Sequence, residues 1–76
     1  MHSMSIPPKI QDYLERAKLH INMREYHVAV EYLQEATFIL QKESEPIPPE
    51  IQELREMVES ALMAERYRDK AITLLR

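Results

Sequence analysis

Five prolines, at positions 7, 8, 46, 48 and 49, and the absence of any glycine constrain this 76-residue chain more than any other feature. Proline has no backbone N–H to give to a helix and pushes the residue before it toward extended backbone. A helix therefore ends ahead of a proline or begins on it. The two long stretches free of proline, residues 9–45 and 50–76, carry apolar side chains every three or four positions. That spacing is the signature of amphipathic helix. With 30% charged residues and no glycine to break the pattern, the chain is expected to be all-α.

Three helices follow from this punctuation. The first is predicted over residues 8–21, with Pro8 in its opening turn and Ile10, Leu14, Ala17 and Ile21 along one face. Asn22 is the residue expected to take the left-handed conformation that ends it, since asparagine tolerates that region where glycine is missing. A tight connection over Asn22 to Glu25 then leads into a second helix, residues 25–43. Its stripe of Ala29, Leu33, Ala36 and Leu40, flanked by Tyr32 and Ile39, is too wide for a single contact, so this helix should lie between two neighbours. The Glu43 to Pro49 segment forms the linker. A third helix is predicted over 49–76, with its core stripe at Ile51, Leu54, Met57, Ala61, Ala64, Tyr67, Ala71 and Leu74. Glu50, Glu53, Glu56 and Glu59 precede Arg66, Arg68, Lys70 and Arg76 along it, an order that suits the helix macrodipole.

The expected architecture is an antiparallel three-helix bundle over residues 8–76, in which Ala29 and Ala36 are buried points of close approach. Residues 1–7 are an N-terminal extension, and Met1-His2-Ser3 reads as a remnant ahead of a start at Met4. A chain this short holds one core, and without cysteine neither disulfides nor thiolate metal sites can reinforce it. Lack of cysteine also fits a reducing, cytoplasmic setting. No apolar run approaches the roughly 20 residues of a membrane span, so direct membrane insertion is not expected. A net charge of −3 argues against nucleic acid, which is held through clustered lysine and arginine.

The sequence offers little to catalysis. It has no cysteine nucleophile, no glycine-rich phosphate loop and no serine beside a usable base, so an enzyme is not expected and no cofactor is implied. His20 and His27 flank the first turn, but two histidines without a third ligand make a poor metal site. Glu50, Glu53, Glu56 and Glu59 share the spacing of carboxylate metal bundles, yet those also need histidines on facing helices. A solvated acidic face is the simpler reading.

The segment Glu25-Tyr26-His27-Val28-Ala29-Val30-Glu31-Tyr32-Leu33-Gln34-Glu35-Ala36 alternates bulky and small side chains on one helical face, which lets a neighbour approach at the alanines. It resembles the second helix of a tetratricopeptide repeat and equally the second helix of the MIT domain, the microtubule-interacting and trafficking three-helix module. The end of the chain separates the two. Tyr67-Arg68-Asp69-Lys70-Ala71-Ile72-Thr73-Leu74 is similar to the MIT third-helix pattern Tyr-Leu-Asp-Arg-Ala-Glu-x-Leu, in which five of the seven specified positions fit, counting Lys70 for arginine. A tetratricopeptide array would require a unit of about 34 residues to recur, and the second half shows no such recurrence.

The MIT resemblance implies a non-catalytic protein–protein interaction module that binds short helical or extended tail segments, typically of ESCRT filament subunits. One family groove lies between the second and third helices, which places Leu62, Arg68, Asp69 and Ile72 along its third-helix wall. Arg68 stands where the family has leucine and Ile72 where it has glutamate, so this chain departs from the pattern for the usual ligand. Spacing alone reaches a related surface: Leu62, Glu65, Asp69 and Ile72 on the third helix beside Val30, Thr37 and Gln41 on the second. The candidate peptide-binding residues are therefore Val30, Thr37, Leu62, Glu65, Arg68, Asp69 and Ile72. Two other readings of the same sequence are a self-associating, tetratricopeptide-like adaptor and the regulatory module of a larger enzyme.

Overall fold

A computed structural model describes the backbone of residues 6–74 and the side chains of residues 6–68. Three helices follow in order: α1 over Pro8–Asn22, α2 over Tyr26–Lys42 and α3 over Pro49–Leu74. α2 packs against both α1 and α3, as its wide apolar surface requires. Among the described residues no helix is long and apolar enough to cross a membrane.

The prolines act as expected. Pro7 precedes α1 with extended backbone, its carbonyl accepts the Gln11 amide at 2.9 Å, and Pro8 opens the helix where its missing N–H costs nothing. Pro49 opens α3, and the Pro48 carbonyl accepts the amide of Ile51 at 3.1 Å.

Both connections close in one way. After α1 the Arg24 amide donates to the Ile21 carbonyl at 3.0 Å and the Glu25 amide to the His20 carbonyl at 2.8 Å. After α2, Ser44 donates to Gln41 at 3.1 Å and Glu45 to Leu40 at 2.8 Å. This is the Schellman pattern, which satisfies two terminal carbonyls and needs a left-handed residue two places past the last helical one. Arg24 with φ 63° and Ser44 with φ 57° fill that place. The expectation for Asn22 is thereby corrected: it is the last residue of α1, and the left-handed burden falls on Arg24.

The core consists of Ile10, Leu14 and Ala17 from α1, Ala29, Leu33, Ala36 and Leu40 from α2, and Ile51, Leu54 and Val58 from α3. Ala17, Ala29 and Ala36 are each 0% exposed, so small side chains hold the closest approach of the packed helices. Ile6 and Ile47, neighbours of the prolines, are half-buried against this core and tie the chain's entry and its second connection to it.

The predicted α3 stripe is corrected. Its buried line runs Ile51, Leu54, Val58 and then half-buried Leu62, whereas Met57 and Tyr67 are 53% and 64% exposed. Ala61 is half-buried and Ala64 exposed, while the side chains of Ala71 and Leu74 lie outside the described residues. Met57 and Val58 are adjacent, about 100° apart around the helix, so burying one turns the other toward solvent.

Candidate docking surface

α3 outruns the hairpin it packs on. Its 26 residues span about 39 Å at 1.5 Å per residue, against about 25 Å for the 17 residues of α2. Among the described side chains Leu62 is the last to pack against the core, and those of residues 63–68 are all exposed while the helix runs on to Leu74. The molecule is accordingly elongated, 58 Å in its longest dimension against 20 and 18 Å.

The candidate peptide-binding residues divide into three groups. Val30 and Leu62 are half-buried against the core, so their apolar surface is already partly used. Thr37 turns its hydroxyl inward along α2, where Oγ1 donates to the Leu33 carbonyl at 2.9 Å. Glu65 and Arg68 are exposed on the projecting part of α3. Asp69 and Ile72 belong to the same helix, but their side chains lie outside the described residues. Leu62 continues the core line of Ile51, Leu54 and Val58 and does not start a separate face.

On the opposite side of α3, Met57, Met63 and Tyr67 are at least half exposed, with Ser60 and Ala64 exposed between them. Glu53 and Glu56 precede this apolar patch on the same side, and Arg66 and Arg68 flank Tyr67. The sequence carried this signal in Met63 and Ser60, which share the spacing of Glu56 and Tyr67.

A second cluster joins α1 to α2. The His20 ring stacks on Tyr32 with centroids 5.5 Å apart, and Tyr13 meets Tyr32 at 6.1 Å. His20 Nδ1 lies 2.7 Å from Glu25 Oε1 across the turn. His20 is thus engaged in holding the hairpin, while His27 is exposed on the first turn of α2. Among the described residues no three histidine, aspartate or glutamate side chains are placed to hold a metal ion.

Shallow depressions mark the surface of the described residues. One, of about 120 Å³, lies between α1 and the start of α3 and is lined by Ile6, Leu14, Lys18 and Glu50 among others. Another, of about 240 Å³, runs along α3 at Gln52, Arg55, Glu56 and Glu59. Both fall below the roughly 300 Å³ at which small-molecule pockets begin. Comparison with known families, curated proteins and solved structures finds no match to this chain.

Proposed function

We propose that this chain is a non-catalytic protein–protein interaction module, which docks a helical or extended segment of another polypeptide along α3. The observation that carries this reading is that α3 runs on past Leu62 with the side chains of residues 63–68 exposed, Met63 and Tyr67 among them. A helix whose successive side chains stand exposed, as from Met63 to Arg68, gains stability when another chain covers it. The MIT-like order of Tyr67, Asp69, Lys70 and Ala71 supports the same class of partner and, through the resemblance, tail segments of ESCRT-type filament subunits. Arg68, in place of an apolar family position, favours an acidic residue in the ligand. A single helix on a shallow surface buries less than the roughly 1,600 Å² of a standard interface, so micromolar affinity is expected.

The test compares immobilised wild-type chain with a Tyr67→Ala, Arg68→Glu variant as bait, followed by calorimetry with the captured segment. Both substitutions lie on exposed positions, so circular dichroism should show an unchanged bundle. Capture by the wild type and loss in the variant is the expected result. Equal capture by a folded variant places the site away from α3.

A further inference from the structure

We infer that the occupant of the outward face of α3 is a second copy of the same chain, with the two α3 helices packed antiparallel. The inference rests on the docking reading above and names its partner. Along the first half of α3, with Glu50 paired to Lys18 of α1, Glu53, Glu56 and Glu59 stand against Arg55; along the second, Arg66, Arg68 and Lys70 stand against Glu65 and Asp69. The helix is therefore acidic toward one end and basic toward the other. Two parallel copies would set glutamate against glutamate, whereas two antiparallel copies set each acidic half against a basic one, twice by symmetry. The helix dipoles oppose in the same arrangement.

The apolar residues sit where such a pairing needs them. A two-fold axis level with Leu62 places Glu56 of one copy level with Arg68 of the other and Met57 level with Tyr67. Ser60 and Ala64 then meet near the centre. The exposed face at that centre is Met57, Ser60, Met63 and Ala64, small enough at the serine and alanine for backbones to approach and apolar enough at the methionines to exclude water. Glu53 and Glu56 are both exposed and lead into this patch on its acidic side; Arg66 and Arg68 are exposed on its basic side. Charge complementarity thus fixes the direction of pairing, and the apolar centre supplies its burial.

Sedimentation velocity across micromolar and submillimolar concentrations tests the proposal. The wild type should reach twice the monomer mass, with dimerisation weakened by added salt. Glu53→Lys with Glu56→Lys makes both halves basic, and Arg66→Glu with Arg68→Glu makes both acidic. Each variant alone should dimerise at least about tenfold more weakly, while an equimolar mixture of the two restores the dimer. Direction is read by disulfide trapping, which is clean because the chain has no cysteine. Met57→Cys protein should crosslink to Tyr67→Cys protein and not to itself, since antiparallel Met57 positions lie roughly 15 Å apart along the axis. A wild type that stays monomeric throughout, or Met57→Cys protein that links to itself, overturns the proposal. A monomer that still captures a different polypeptide, lost on Tyr67→Ala, would overturn self-pairing and leave the docking reading standing. A monomer that captures nothing through α3 would remove both.

Discussion

Lys18 Nζ of α1 lies 2.7 Å from Glu50 Oε2 at the start of α3, an ion pair between two helices that otherwise touch little. The hydrogen bond to Glu50 raises the Lys18 ammonium above the ordinary lysine range, against an opposing effect of burial. A lysine whose folded-state value is raised contributes stability that is fully present below its unfolded value and is lost as pH rises through the folded one. Thermal melts should therefore show wild type and Lys18→Met converging in the alkaline range and separating below it. Both side chains are about two-fifths exposed, so solvent screening keeps the difference under about 1 kcal/mol.

The phase of α3 is tested by neighbouring residues. Val58 is fully buried and Met57 is 53% exposed. Val58→Ala should cost about 2 kcal/mol by leaving a cavity, while Met57→Ala should stay within about 0.5 kcal/mol. Urea denaturation midpoints compared at equal slope decide it, and the reverse order would return the core line to Met57, Ala61 and Ala64.

Ala36 has no exposed surface, and protein cores are close-packed with few voids. Ala36→Leu should destabilise by roughly 1–3 kcal/mol through overpacking of the α2 core face. An unchanged denaturation midpoint would show that the helices part readily at this position.

Arg24 and Ser44 hold left-handed backbone in a chain with no glycine. Glycine fills that place without steric cost, so Arg24→Gly and Ser44→Gly should each stabilise the fold by up to about 1 kcal/mol. Thermal denaturation of the two single variants and the double variant checks this. The sites close different turns, so their effects should add.

Leu62→Asp and Tyr67→Asp separate folding from docking. Leu62 packs against the core, so a carboxylate there should lower the melting temperature, whereas the exposed Tyr67 position should tolerate one with little change. Circular dichroism melts of the two variants read the contrast directly, and equal melting temperatures would mean that Leu62 is no part of the bundle.

Much of the fold was legible in the sequence because punctuation and periodicity agree. Pro8 and Pro49 open helices as fixed-φ residues should, and the stripes Ile10, Leu14, Ala17 and Ala29, Leu33, Ala36, Leu40 are buried as spaced. α3 was harder because it carries two overlapping apolar stripes. Ile51, Leu54, Val58 and Leu62 form one; Met57, Ala61, Ala64 and Tyr67 continue the other from the same beginning. Periodicity cannot choose between them, since the choice depends on where α2 lies and how far it reaches. The left-handed position was misplaced for a geometric reason: composition points to Asn22, but the Schellman pattern counts two residues beyond the helix end, whatever stands there. Of the candidate site, Glu65 and Arg68 are exposed, while the inward turn of the Thr37 hydroxyl depends on a rotamer that spacing does not specify.

The ordering of contacts, α1 on α2 and α2 on α3, also bears on how quickly the chain finds its structure. Nearly all its packing joins segments adjacent in sequence, so closing each contact costs little loop entropy. Chains built this way fold on the microsecond to millisecond scale. α1 with α2 makes the larger helix interface, carries the aromatic cluster and closes over a three-residue turn, so this hairpin is expected to form first and α3 to condense on it. Ala17→Gly within that hairpin should slow folding, whereas Val58→Ala should chiefly speed unfolding, leaving the two arms of a chevron plot to report opposite ends of the chain.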